Sequence, residues 1–336
     1  MVKAKEIEGL NCEGRAAQEI RLVLCARLEE MCRFRAEALL WIEPKGVHDM
    51  RVASRRLRSA LRDFKPYLRK RRLASSAREL KRVADALGAV RDADVAIMAL
   101  EQLQQEAPAD VTAGITNLAD ERRAEREAAR AALADAIEEE ELDRLRSEFA
   151  AALERATKPR RAGGKKKSRA AKLSFREVGG EIILARLAEL RDMSALLYQP
   201  FDTPALHRIR IAAKRLRYAM QLFVPCSDQA RAEQASEVAK LQTSLGNLHD
   251  CDVWLEDFGQ MLRDFQQREA DRQPLTETDE QQRRAAVWLM RHFAKARMKH
   301  FGHALARWHE WETSSFFTRI SKGLLSKIRL PVTLIN

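Results

Sequence analysis

A segment of eighteen residues occurs twice in this chain, and no other feature of the sequence constrains the fold as strongly. Val47–Phe64 aligns without gaps on Leu206–Phe223, and eight of the aligned residues are identical. A second segment is also shared, Leu87–Val95 in the first half and Leu245–Val253 in the second. Self-similarity at a fixed period indicates a duplicated structural unit. We therefore predict two homologous halves.

Both halves have the pattern of amphipathic helices. Apolar residues recur three or four positions apart, and glycine and proline are scarce, with 13 and 9 copies. This periodicity predicts four helices in each half, at about 15–42, 46–68, 72–106 and 112–156, then at about 173–198, 204–223, 228–271 and 277–311. The acidic run Glu138–Glu141 is expected on a solvated face inside the fourth helix. The prediction is an all-α protein whose halves have separate cores.

The boundary between the halves is predicted at residues 158–172. This segment contains eight Lys or Arg and no acid, together with Pro159 and the pair Gly163-Gly164. Such a composition predicts a flexible basic linker. The first half is then residues 1–157 and the second is residues 173–312. Residues 313–336 form a tail without a counterpart in the first half, which could fold onto the core, pair with a partner or touch a membrane surface.

The charge balance favours a polyanionic partner. The chain has 61 Lys+Arg against 49 Asp+Glu, a formal net charge of +12. Nucleic acid, polyphosphate and anionic lipid all fit such a balance. Net charge alone does not choose among them.

The cysteines and the lengths of the apolar runs are used to predict the cellular compartment of the protein. Five cysteines, an odd number without a CxxC pair, predict neither a disulfide framework nor a zinc site: Cys12, Cys25, Cys32, Cys226 and Cys251. No apolar core of a signal peptide and no run of about 20 apolar residues is present. We therefore expect a soluble protein of the reducing cytoplasm.

The repeated helix has a charged face and an apolar face. At 100° per residue, the charged side chains of the first copy fall within an arc of about 80°. We call this set the first basic stripe: His48, Arg51, Arg55, Arg58 and Arg62. The second basic stripe consists of His207, Arg210, Lys214 and Arg217, with Gln221 at the position of Arg62. Arg56 and Arg215 lie on the flank of each stripe.

Such stripes suit a polymer of phosphates. Guanidinium groups bind phosphate oxygens through two hydrogen bonds, and each stripe spans roughly 20 Å at the helical rise. The stripes contain few acids, but acids of neighbouring helices could neutralise some arginines. His48 and His207 could donate a hydrogen bond to phosphate or cap the backbone.

An Asp-x-Asp pair closes each copy of the second shared segment. The pairs are Asp92 with Asp94 and Asp250 with Asp252. Each follows a glycine that is expected to end or bend the third helix. The carboxylates could orient arginines, cap the next turn or bind a cation, and we expect orientation or capping rather than a metal site.

The doubled pattern H-x-x-R-[VI]-x-x-[RK]-R-L-R, followed each time by LGxxxDxDV, resembles the CHAD family, the conserved histidine α-helical domain. The resemblance covers about residues 15 to 312. It implies two four-helix bundles related by a pseudo-twofold axis, with basic faces around a central groove or pore that binds inorganic polyphosphate. It also implies a possible association with polyphosphate granules.

The resemblance carries over to the motif positions of both stripes and their flanks. These are His48, Arg51, Arg55, Arg56 and Arg58 in the first half, and His207, Arg210, Lys214, Arg215 and Arg217 in the second. Arg62 belongs to the first stripe, and Arg82 and Lys240, matched on the third helices, are further candidate wall residues. His249 replaces Arg91 in the second copy, so that wall is expected to bind less strongly.

The expected function is therefore binding without catalysis, with no cofactor and no metal. Some CHAD proteins also contain a triphosphate tunnel domain marked by E-x-E-x-K, but Glu6-Ile7-Glu8-Gly9-Leu10 lacks the lysine. No HExxH, GxxxxGK[ST] or GxSxG motif is present. Two alternatives remain, a nucleic-acid-binding protein and a helical adaptor for acidic partners. The interleaving of the stripes with small aliphatic residues, and with Tyr218 as their one aromatic neighbour, favours polyphosphate over nucleic acid.

Overall fold

A computed structural model describes residues 6–157, 172–227 and 229–325. The first half contains α1 (Ala16–Arg33), α2 (Arg35–Leu39), α3 (Lys45–Phe64), α4 (Ala74–Gln104), α5 (Ala109–Ala136) and α6 (Glu139–Thr157). The second half contains α7 (Phe175–Asp192), α8 (Thr203–Leu222), α9 (Gln229–Ala270), α10 (Glu277–Thr313) and α11 (Phe316–Leu325). Short 3-10 turns join some of them, and no strand occurs in these ranges. The all-α prediction is confirmed, while residues 158–171 of the predicted linker lie outside the described residues.

The predicted fourth helix of the first half is two helices, so the expectation of one helix over residues 112–156 is wrong. The break is at Ile137, which is fully buried and has a non-helical φ of −119°. The Arg35 Nε donates to the Ile137 carbonyl over 2.8 Å and fixes the turn. The acidic run then begins α6, where carboxylates interact favourably with the helix dipole. The predicted first helix is likewise divided into α1 and α2.

The two halves share one core, which corrects the expectation of separate cores. Phe64 and Phe223, at equivalent positions of the repeat, contact each other with ring centroids 6.0 Å apart. Phe175 of α7 packs on both, at 6.0 and 4.9 Å. Gly179 makes room for this cluster, since a Cβ there would lie 2.6 Å from the Phe223 ring. The core is therefore continuous across the repeat.

A second apolar cluster forms where the distal parts of α4, α5, α9 and α10 pack together. Trp254 of α9 stacks on Phe258 and on Phe293 of α10, both at 5.2 Å. Gly114 lets α5 approach α10 closely, because a Cβ there would lie 2.0 Å from the Gln281 carbonyl oxygen. This cluster also joins the two halves, in this case through their fourth helices.

A disulfide joins Cys12 to Cys226, with their Cα atoms 5.5 Å apart. The expectation of no disulfide is therefore wrong. The two cysteines lie 214 residues apart, so their spacing gave no sign of the pairing. The bond ties the segment before α1 to the turn after α8, and the cysteines no longer favour a reducing compartment.

The part of the tail that the structure describes folds onto the core. Phe316, Ile320 and Leu324 of α11 are buried, and Phe316 stacks on Trp311 at 4.4 Å. This is one of the three alternatives left open by the sequence, and it concerns residues 313–325 alone. Within the described ranges, none of the helices combines the length and apolarity needed to cross a membrane.

Candidate functional site

The two repeated helices pack against each other and place the basic stripes side by side. The apolar faces of α3 and α8 point into the shared core, and Leu57 and Leu216 are fully buried. Burying one such side chain contributes about 1.5–3 kcal/mol, so the apolar face fixes the rotation of each helix. The Arg55 guanidinium of α3 lies 5.6 Å from the centre of the Tyr218 ring of α8. A side chain of the first stripe therefore contacts α8 across the α3–α8 contact.

Lys214 lies where the positive charges of both stripes converge. Burial, together with the charges of Arg55, Arg210, Arg51 and Arg62, lowers the pKa of its ammonium group from 10.5 to about 8. Three of these arginines belong to the first stripe. The ammonium group of one lysine in the second repeat is thus influenced by the cations of both repeats.

Three cations at this point form no direct ion pair in the described part of the chain. We call Arg55, Arg210 and Lys214 the central cations. The Nε atoms of Arg55 and Arg210 are buried without a hydrogen-bond partner. Burial lowers the pKa of Arg210, while the charge of Asp250 raises it. Excess positive charge is therefore concentrated at the centre of the two stripes.

The other stripe residues are partnered to different degrees. Arg51 donates to Asp92 over 2.9 Å. Arg62 donates to Ser59 over 2.7 Å, and its Nε lies 3.6 Å from Asp63. Arg58 is exposed, whereas its equivalent Arg217 is buried and donates to Gln242. An acid of α4 and an acid of α3 itself therefore neutralise part of the first stripe.

The histidine that begins each stripe has a neighbour on the third helix of its half. Burial lowers the pKa of the His48 imidazole, and the nearby charge of Arg91 lowers it as well. In the second half the Nδ1 atoms of His207 and His249 are 3.4 Å apart. Burial and the charges of Arg210 and His207 lower the pKa of His249 to about 4. A permanent cation in the first half is thus replaced by a titratable ring in the second.

Arg91 and His249 belong to the site although they were not among the predicted binding residues. Both precede the Asp-x-Asp pair directly in the second shared segment. Their equivalence in the repeat was visible in the sequence. Their approach to the stripe histidines required the packing of α4 on α3 and of α9 on α8.

The Asp-x-Asp pairs orient arginines. The first aspartate faces the stripe, as in the Arg51–Asp92 pair. The second binds an arginine of the fourth helix, since Arg297 Nε donates to Asp252 over 2.6 Å and Arg126 lies 3.6 Å from Asp94. Arg297 also donates to the Pro200 carbonyl over 2.7 Å, which holds the segment that leads into α8.

The other two roles considered for these aspartates find no support in the structure. These glycines were expected to end or bend the third helix. Gly88 lies inside α4 and Gly246 inside α9, so neither ends the helix, and the aspartates do not cap a following turn. No group of three or more His, Cys, Asp or Glu with metal-binding geometry is found in the part of the chain described.

Arg56 and Arg215, predicted as binding residues, are held by acids away from the central cations. Arg56 donates over 3.0 Å to Glu30 of α1, whose side chain is almost fully buried. Arg215 donates to Glu189 of α7 at the equivalent place. A buried charge is tolerated when it is paired, so these contacts attach each stripe helix to the first helix of its half.

Arg82 and Lys240 are not brought to the stripes either. Arg82 lies 3.0 Å from Glu79 and 3.4 Å from Glu141 of α6. Lys240 donates to Glu237 over 2.6 Å, and Arg307 of α10 binds the same carboxylate. Both basic side chains are engaged by acids on other faces of the third helices, so neither lines the site.

Comparisons with known proteins agree with this architecture. The family model for the CHAD domain matches residues 23–259. The crystal structure of the CHAD domain from the plant Ricinus communis superposes with a TM-score of 0.68 at 21% identity, covering 90% of this chain and 95% of that one. PptA from Streptomyces chartreusis superposes with a TM-score of 0.64 at 14% identity, covering 88% and 100%. At such identities the likeness concerns the fold. No curated protein matches the sequence.

Proposed function

Because the chain belongs to the CHAD domain family, we propose that it binds inorganic polyphosphate between its two basic stripes and does not transform it. The observation that carries the proposal is the set of central cations, Arg55, Arg210 and Lys214. They come from both repeats, the charges of the two arginines act on Lys214, and none of the three forms a direct ion pair in the described part of the chain. An anion that contacts both repeats at once would neutralise their charge.

Electrostatics favour a polymer of phosphates at this position. Burying a charge without a partner is costly, and here like charges add mutual repulsion. A bound anion would supply the missing negative charge and would raise the lowered pKa of Lys214. One small anion could contact one or two of these cations, whereas a phosphate chain presents charge along its whole length. Guanidinium and ammonium groups are both suited to phosphate oxygens.

The site is less suited to nucleic acid. Proteins that bind single strands usually stack bases on aromatic rings. Tyr218, the aromatic residue of the stripe region, is only 7% exposed, and the guanidinium groups of Arg55 and Arg217 lie over its ring. No free ring face is presented to a base at this place. Polyphosphate has no bases, so its binding does not need a free aromatic ring face.

The absence of catalysis is part of the proposal. A hydrolase would need a carboxylate or imidazole placed to activate water at the phosphate. Here Asp92 and Asp252 are paired with arginines, and the rings of His207 and His249 contact each other. These four groups are thus engaged in contacts within the protein. On this proposal the protein would associate with polyphosphate granules.

A competition titration tests the proposal. Long-chain polyphosphate would compete with single-stranded and duplex DNA at matched phosphate concentration. The variant is Arg55→Gln with Lys214→Gln, and the control is Arg82→Gln with Lys240→Gln, which removes the same charge from acid-paired residues. Each charge-assisted hydrogen bond contributes about 1.5–3 kcal/mol, so the variant should bind polyphosphate at least about a hundredfold more weakly. Equal loss in the control, or equal competition by DNA, would show that general basicity accounts for binding.

A further inference from the structure

The outer face of α10 carries a second row of cations. No acid occurs between Arg283 and His309. Four basic residues in this stretch are exposed and form no ion pair within the described ranges: Arg284, Arg291, Lys295 and Lys299. At 100° per residue they fall within about 80° of one another and span roughly 22 Å of helix. We call this set the α10 row.

The corresponding helix of the first half has no such row. α5 occupies the equivalent place, and the two helices pack against each other. Its arginines are interspersed with acids and paired with them, as in Arg122 with Glu125 at 2.9 Å and Arg123 with Glu101 at 2.5 Å. Solvated faces of helices commonly mix both signs in this way. The acid-free face of α10 is therefore a particular property of the second half.

One end of the α10 row lies beside the segment of α9 that contains Asp250 and Asp252. Arg297, two residues before Lys299, donates to Asp252 of α9 over 2.6 Å, and Asp250 lies two residues before Asp252. Asp250 in turn interacts with Arg210, one of the central cations. The Lys299 end of the row is therefore level with the part of α9 that interacts with a central cation.

We propose that the α10 row is an outer track for the same phosphate polymer, which continues along it after leaving the basic stripes. This inference rests on the proposed function and adds a second contact surface to it. The spacing of the four cations over about four helical turns matches an extended polyanion better than a compact one. The track would make affinity depend on chain length, because a short oligomer occupies the stripes alone while a long chain contacts both surfaces.

Charge removal on the row tests this inference. The variant is Arg291→Gln, Lys295→Gln and Lys299→Gln. The control is Lys81→Gln, Arg144→Gln and Arg263→Gln, which removes the same charge from exposed residues that are paired with acids elsewhere. All proteins would be titrated with long-chain polyphosphate and with tripolyphosphate over a range of salt concentrations. Circular dichroism would establish that they remain helical.

The expected result is selective for long chains. The slope of log affinity against log salt for long-chain polyphosphate should fall by about three in the row variant, one for each lost phosphate contact. Its affinity for tripolyphosphate, and both affinities of the control, should stay within a factor of about two, since exposed paired charges contribute little. Unchanged binding of long chains by the row variant would overturn the inference.

Two further outcomes separate this inference from its premise. If the row variant loses binding to duplex DNA or to phosphatidylserine vesicles but keeps its affinity for long-chain polyphosphate, the row serves another partner and the inference is wrong. If the unmodified protein binds neither form of polyphosphate, the proposed function itself fails. If the row variant loses affinity for long chains and keeps its affinity for tripolyphosphate, the result supports both the inference and the proposed function.

Discussion

At the scale of single residues, Lys214 couples charge, stability and pH. Its pKa is about 8 in the folded protein, whereas 10.5 is the ordinary value for the unfolded chain. The unfolded chain therefore binds more protons between these two pH values, so the stability of the ligand-free protein rises with pH across that window. Below about pH 8 both states are protonated and the destabilisation is fully present.

Replacing this lysine should stabilise the fold and weaken binding. We expect Lys214→Met to raise the free energy of unfolding at pH 7 by about 1–2 kcal/mol, since one pKa unit corresponds to about 1.4 kcal/mol and solvent screening removes part of it. Urea denaturation at pH 7 and pH 10 would measure the difference, which should shrink at the higher pH. A variant less stable than the parent at pH 7 would contradict the lowered pKa.

The replacement of Arg91 by His249 should make binding depend on pH. His249 has a pKa of about 4 without ligand, so its ring is neutral at pH 7. A bound anion would favour the protonated ring and raise this pKa, and affinity for polyphosphate should therefore increase as the pH falls from 7 towards 5. His249→Arg should flatten this dependence, and Arg91→His should steepen it. Fluorescence titrations at several pH values would measure the slopes, and identical slopes in all three proteins would exclude His249 as the titrating group.

At the scale of helices, the sequence predicted which face of each repeated helix is buried, but it did not predict where a helix is interrupted. The period of the repeated segment placed Leu57 and Leu216 in the core and the arginines opposite, as the structure has them. The break at Ile137 could not be predicted, because no glycine or proline marks it and the contact that fixes it comes from Arg35, a hundred residues away in sequence. The pairing of Arg56 with Glu30 and of Arg215 with Glu189 also depends on how α1 and α7 pack, which periodicity does not give.

The pair formed by Arg297 and Asp252 should be important for the second half. Arg297 is buried, so removing its carboxylate partner leaves a charge with the Pro200 carbonyl alone. Breaking a buried pair costs about 3–5 kcal/mol, and we expect a loss towards the lower end for Asp252→Ala. Asp257→Ala is the control, because its pair with Arg122 is long and exposed and should contribute less than about 1 kcal/mol. Chemical denaturation would compare the two, and equal losses would argue against a structural role for the pair.

At the scale of the whole molecule, the duplication was visible in the sequence but its consequence for the core was not. Two homologous halves suggested two separate cores, yet Phe64 and Phe223 contact each other across the repeat. Each stripe helix is amphipathic, and amphipathicity alone does not say whether its apolar face packs within one half or against the other. The central cations exist because α3 and α8 pack together, so the joint site follows from the shared core.

The disulfide should stabilise this shared core as one unit. Cys12 and Cys226 enclose most of the chain, including both stripe helices and the segment between the halves. A cross-link over so long a loop restricts the unfolded chain, and native disulfides typically contribute about 2–4 kcal/mol. We expect a reducing agent to lower the urea midpoint of the parent protein and to leave that of Cys12→Ser with Cys226→Ser unchanged. Cys25→Ser, which replaces a free thiol, should respond to reduction as the parent does.

Because the packing of α3 on α8 places the central cations together, polyphosphate affinity of the reduced protein should change little under conditions where it remains folded. A parent protein whose midpoint is the same with and without reductant would show that the cross-link contributes nothing to stability.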